Sequence, residues 1–121
     1  MRSKWIEHRG KKIFFQDFSG FLYDADAVKK ELMQVQVEVV SHPKNSLLIL
    51  SDFTDTNMTS EMMPLLNAAS AMTKDHVRKT AVLGVTGIKR SLADLLTRLT
   101  GQPLKYFDSE AVAKDWLVEE E

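Results

Sequence analysis

Two aspartates close β-rich runs inside nearly the same local string, Asp17-Phe18-Ser19 and Asp52-Phe53-Thr54. If the strands they end are neighbours, both carboxylates lie at the carboxyl edge of a sheet, where open α/β folds bind ligands. One or two carboxylates suffice to hold a hard cation such as Mg²⁺, and Asp55 offers a third. Short acidic side chains also accept backbone N–H groups in strand-to-helix turns. No general base or phosphate loop accompanies the pair, so the turn role is preferred and Asp17 and Asp52 stay weak metal candidates.

A second string, Gly84-Val85-Thr86-Gly87-Ile88-Lys89-Arg90-Ser91, sets two glycines and two cations at the start of an expected helix. It is not a P-loop, which needs four residues between its glycines and a lysine directly after the second. Lys89 and Arg90 oppose the helix dipole there by about 0.3–1 kcal/mol each, and a nearby anion would relieve them. Equally, Asp94 lies four residues from both Arg90 and Arg98, the spacing of a solvated ion ladder. His8, His42 and His76 fall in separate elements without an i, i+4 pair, so zinc ligation or a histidine-based triad has little support. There is no cysteine and no nucleophile elbow. No catalytic residue and no cofactor is expected.

The elements that position these groups follow from periodicity. Lys4–His8 and Lys11–Phe18 are β-rich and meet at Arg9-Gly10, a hairpin turn. Ala25 to Ser41 is a helix behind Asp24, stopped by His42-Pro43. Gln34 to Val39 alternates like a strand, but Val28, Leu32, Val35 and Val39 share one helical face and the length suits a helix. Ser46 to Phe53 and Arg78 to Val85 are buried-type strands, and Thr59 to Thr73 is a helix with Met62, Leu65, Leu66, Ala69 and Met72 on one face and Pro64 in its first turn. Ile88, Leu92, Leu95, Leu96 and Leu99 line a further helix ending at Gly101, followed by a strand over Leu104–Phe107. Asp108 caps a last helix, in which Phe107 and Val112 have staple spacing and Trp116 and Leu117 anchor the core. This alternation predicts a single α/β domain over residues 1–121. An N-terminal antiparallel hairpin leads into a mostly parallel five-stranded sheet with four helices and right-handed crossovers.

Composition agrees with one globular domain: 121 residues, 44% hydrophobic, 27% charged, no low-complexity stretch. A net charge of -1 argues against a nucleic-acid partner held by bulk charge. The charge is uneven, however, with Arg2, Lys4, Arg9, Lys11 and Lys12 near the start and Asp108, Glu110, Asp115, Glu119, Glu120 and Glu121 near the end. Two solvated termini are the preferred reading. No apolar segment approaches the length of a membrane span and the opening residues form no signal peptide, so a cytoplasmic protein is expected, at most peripheral at the membrane.

The helix at 25–41 supplies the sharpest clue to function. At about 100° per residue, Met33, Val37 and Val40 gather nearly opposite its main stripe, where a solitary surface helix is polar. A homodimer partner, a membrane surface or an acyl ligand would each cover them; scattered exposed valines are the plain alternative. Met58, Met62 and Met63 join this candidate set, since methionine adapts to a flexible apolar ligand, although it more often fills irregular core. The ligand is expected between the sheet and the helices at 25–41 and 59–73, with Lys89 and Arg90 as headgroup contacts.

The order of elements, with the strings Ile13-Phe14-Phe15-Gln16-Asp17-Phe18-Ser19-Gly20, Leu47 to Asp52, Val77 to Gly87 and Phe107 to Leu117, resembles the SpoIIAA-like superfamily, the STAS fold, and more closely its stand-alone STAS/SEC14-type bacterial members. The resemblance covers nearly the whole chain and implies a non-enzymatic domain that binds a lipid-like ligand or a membrane surface. It also implies an alternative, a protein-interaction regulator of the anti-sigma-factor-antagonist type. Those regulators are phosphorylated in an Asp-Ser-Ser-Gly-like motif after the third strand. This chain instead reads Asp55-Thr56-Asn57-Met58-Thr59-Ser60-Glu61-Met62, so Thr59 and Ser60 stand near the equivalent place without the motif. Helix capping by Thr59 or Ser60 is the preferred reading. A metal-dependent enzyme using Asp17 and Asp52 is the least favoured.

Overall fold

The computed structural model describes residues 1–57, 59–85 and 104–119. Strand β1 (Lys4–His8) pairs antiparallel with β2 (Lys11–Asp17) across a turn in which Arg9 and Gly10 both have positive φ, 51° and 79°. Two successive residues in that region are what a tight hairpin matching the strand twist requires. Helix α1 (Ala25–Val40) starts where Asp24 accepts the Ala27 N–H at 3.0 Å. Then come β3 (Leu47–Asp52), α2 (Met62–Thr73), a 3₁₀ turn (Lys74–His76), β4 (Val77–Leu83), β5 (Leu104–Phe107) and α3 (Glu110–Val118). The sheet is mixed, in the order β1-β2-β3-β4-β5, with one antiparallel and three parallel pairings. The expected helix around Ile88–Leu99 lies outside the described residues, which hold three α-helices.

Alternation along the strands feeds two cores. Phe14, Leu47, Ile49, Val77 and Val82 face α1 and α2, whereas Ile13, Leu50, Ala81 and Leu83 face Ala113, Leu117 and Val118 of α3. The α1 stripe of Val28, Leu32, Val35 and Val39 is buried as the helical reading of that segment requires.

Three local expectations change. Ser109, not Asp108, caps α3, accepting the Val112 N–H at 3.4 Å. With the cap one residue later the staple spacing is lost: Val112 is 54% exposed and Phe107 packs on Trp116, ring centroids 5.5 Å apart. Met72 is 60% exposed, because the buried face of α2 runs through Met62, Leu66 and Ala69 and leaves its last turn outside.

The charged termini are not merely solvated. The His8 ring nitrogen lies 2.8 Å and the Arg9 guanidinium 3.2 Å from Asp115, so the basic hairpin grips the acidic last helix. The hydrogen bond from His8, aided by Arg9, holds the Asp115 carboxyl below its ordinary range.

Candidate functional site

Asp17 and Asp52 are register partners on neighbouring parallel strands, as their matching strings suggested. Their chemistry is local. One oxygen of Asp17 accepts the Ser19 N–H (3.0 Å) and hydroxyl (2.6 Å), and one oxygen of Asp52 accepts the Thr54 N–H (2.9 Å) and hydroxyl (2.6 Å). Arg2 adds an ion pair to Asp17 at 3.3 Å. Both carboxylates therefore work as turn acceptors, and among the described residues no group of three or more metal-ligating side chains forms.

The loops beyond these aspartates are zipped together. Gly20 donates to Thr54, Leu22 to Asp55 and Asn57 to Leu22, and the Phe18 and Phe53 rings stack at 5.1 Å. Thr56, fully buried, accepts the Phe21 N–H at 3.1 Å and donates to the Phe18 carbonyl. Gly84 closes this edge from the third side: a Cβ there would stand 2.4 Å from the Thr54 nitrogen. Among the described residues, the loops after β2 and β3 and the end of β4 at Gly84 pack against one another at the carboxyl edge.

Met62 is fully buried in the core between the sheet and the helices, the core-filling use of methionine preferred from the sequence. Met63 is half-buried. Met58, Lys89 and Arg90 lie outside the described residues. Thr59 accepts the Met62 N–H through its hydroxyl at 3.3 Å and through its carbonyl at 3.1 Å, closing the turn that leads into α2, whose N-cap position is Glu61 rather than Thr59 or Ser60; Ser60 is exposed.

What does come together is the outward face of α1. Met33, Val37 and Val40 are 59%, 71% and 41% exposed. The two glutamates of the helix are turned the other way. Glu31 is buried and accepts the Arg2 N–H (3.1 Å), the Ser3 N–H (2.9 Å) and the Ser3 hydroxyl (2.6 Å). Burial pushes its carboxyl up, but those three hydrogen bonds outweigh that and hold it below the ordinary range. Glu38 accepts the Trp5 indole N–H at 3.0 Å and meets His42 at 3.4 Å, and these two partners hold it low as well. The outer face is left with Lys29 and Lys30, both exposed, against Asp26. Sequence periodicity located the apolar stripe but missed the lysines beside it, because nothing local reveals that Glu31 and Glu38 are claimed by the N-terminal segment. Among the described residues no helix is long and apolar enough to cross a membrane.

No family model matches the sequence, and no curated protein matches it. Among solved structures the chain is similar to an uncharacterized protein of the DUF3478 family with a SpoIIAA-like fold from Shewanella loihica PV-4, at a TM-score of 0.69 and 11% identity over 95% of this chain and 91% of that one. The likeness is one of fold rather than sequence, and the chain has a SpoIIAA-like fold.

Proposed function

We propose that this SpoIIAA-like domain is a non-enzymatic binding module whose α1 face docks on an anionic, lipid-like surface at the membrane periphery. The observation that carries the reading is the sorting of α1: its glutamates are drawn inward while Met33, Val37, Val40, Lys29 and Lys30 point out. Covering those three apolar side chains is worth up to about 1.5–3 kcal/mol each. Each lysine near an anionic surface adds about 1 kcal/mol. An amphipathic helix with apolar and lysine residues on one exposed face suits the headgroup boundary. The lysines also favour an anionic lipid surface over a second copy of the same cationic face.

Co-sedimentation with vesicles of phosphatidylcholine, with and without phosphatidylserine, tests this. The protein pellets with the anionic vesicles, weakly or not at all with the neutral ones, and Val37→Asp abolishes pelleting without loss of fold. Equal recovery of wild type and Val37→Asp in the supernatant overturns it. A concentration-dependent dimer broken by Val37→Asp, with no vesicle binding, would assign the face to self-association instead.

A further inference from the structure

Across the sheet from α1, at the amino edge, the surface opens into a cleft of about 270 Å³. Leu48 of β3 and Leu117 of α3 supply its apolar part, and Lys11, Lys12 and Arg78 line it together with one carboxylate, Glu119. Strand pairing explains how Arg78 comes to stand there. Leu47 pairs with Val77 and Leu48 with Lys79, so Arg78 is the extra residue where the β3–β4 register shifts. A bulge of this kind re-aims a side chain out of the ladder. It lets Lys79, 3% exposed, turn toward α3 while Arg78 stays exposed.

The cations beside the cleft divide into two kinds. Lys79 donates to the carbonyls of Trp116 (3.1 Å) and Glu119 (3.0 Å), and Lys11 to that of Val118 (3.1 Å). These carbonyls lie at the C-terminal end of α3, where a helix leaves acceptors over and favours cations, and that of Trp116 also takes the Glu119 N–H at 3.3 Å. Lys12 and Arg78 have no such task. Glu7 stands opposite Lys12 in the hairpin ladder, yet among the described residues no ion pair forms with Lys12 or Arg78.

We propose that this cleft binds a phosphate monoester. The Arg78 guanidinium would take two phosphate oxygens as a fork, Lys12 and Lys11 would flank the dianion, and Leu48 and Leu117 would meet the carbon side of the ester. A planar fork matches phosphate oxygens in pairs, while ammonium groups add charge without fixed geometry. Among the described lining residues, Arg78 and Lys12, with Lys11 held at the end of α3 beside them, stand against one carboxylate, a balance that suits a dianion better than a monoanionic carboxylate. The site is independent of the α1 face, which lies on the other side of the sheet.

The test is a titration of the isotope-labelled full chain, followed by amide NMR in low-salt, phosphate-free buffer. Its arms are glycerol 3-phosphate, inorganic phosphate, acetate, and vesicles containing phosphatidic acid. Saturable shifts with glycerol 3-phosphate are expected at Lys11, Lys12, Leu48 and Arg78. Loss of a charged hydrogen-bonding partner in Arg78→Ala weakens binding about tenfold or more. Arg78→Lys keeps the charge, loses the fork and falls between. Val37→Asp, aimed at the other face, leaves the titration unchanged. Saturation by the soluble ester assigns a metabolite, and shifts confined to the vesicle arm assign a lipid headgroup; both support the phosphate chemistry. No saturable shift in any phosphate arm, equal affinity for acetate, or an unchanged Arg78→Ala titration overturns the proposal.

Discussion

The two edges of the sheet are built on opposite plans. At the carboxyl edge the loops after β2 and β3 continue the parallel ladder past the strands, with Phe18, Gly20, Leu22 and Asn57 all donating across. Among the described residues there, Asp17, Asp52 and Thr56 are engaged by backbone or hydroxyl groups, while Asp55 is exposed. At the amino edge the strands start raggedly, a register shift displaces Arg78, and a cationic cleft remains. Open α/β folds place ligands outside the carboxyl ends of their strands. Here the described side chains of that edge hold its loops together, whereas Arg78 at the other edge and Met33, Val37 and Val40 on α1 are exposed.

The contrast is broken most forcefully at Gly84. Its φ of 79° and the 2.4 Å approach to the Thr54 nitrogen leave no room for a Cβ. Gly84→Ala is expected to cost about 3 kcal/mol by combining an unfavourable backbone region with a clash against backbone. Urea unfolding would show it as a lower midpoint. A midpoint within error of wild type would mean that the carboxyl edge is looser than described.

Thr56→Val comes next. The substitution keeps the volume and strands the Phe21 N–H and the Phe18 carbonyl in a dry site, a loss of about 1–3 kcal/mol in the same unfolding measurement. Amide exchange at Phe21 should quicken with it.

Much of this architecture is legible in the sequence, and the reason is that it rests on local patterns. The hairpin turn needs only Arg9-Gly10, and α1 needs only Asp24, a four-position apolar stripe and Pro43. The outward position of Met33, Val37 and Val40 follows from the same helical period. What escapes is whatever depends on partners far along the chain. Glu31 reads as a surface residue until Ser3, which lies 28 positions away, binds it. Lys79 sits in a strand that reads as buried, yet the carbonyls that accept its ammonium belong to residues 116 and 119. Arg78 looks like any strand residue until the register shift is known. The aspartate strings were visible for the same local reason as the turns, and local turn chemistry is what they perform.

Glu31 gives a smaller effect with a pH signature. Its carboxyl is held below the ordinary range in the folded chain, so it contributes stability that is present above the unfolded value and is lost as pH falls through the folded one. Glu31→Gln replaces a three-way acceptor with an amide and should lower stability by about 1–2 kcal/mol near neutral pH. It should also flatten the acid limb of the stability curve. The N-terminal residues Arg2 and Ser3 would exchange faster, and because Arg2 also pairs with Asp17, the carboxyl edge would loosen from its rim inward. An acid limb identical to wild type would place the titrating group elsewhere.

The smallest effect on stability is expected at the amino edge, which is where the contrast is sharpest. Arg78 is exposed and makes no ion pair among the described residues, so Arg78→Ala should change unfolding free energy by no more than about 0.5 kcal/mol. Lys79, its neighbour by one residue, should behave oppositely. Lys79→Met removes the ammonium donor from the Trp116 and Glu119 carbonyls at a nearly fully buried site, leaving Trp116 only the Glu119 N–H, a loss of about 1–3 kcal/mol. Two adjacent cations would then separate cleanly, one holding the last helix to the sheet and one dispensable to the fold. That outcome would leave Arg78, displaced by the register shift and lining the cleft, free of any structural duty and open to the binding role proposed for it. If Arg78→Ala instead costs as much as Lys79→Met, Arg78 belongs to the scaffold and the amino edge is as structural as the carboxyl one.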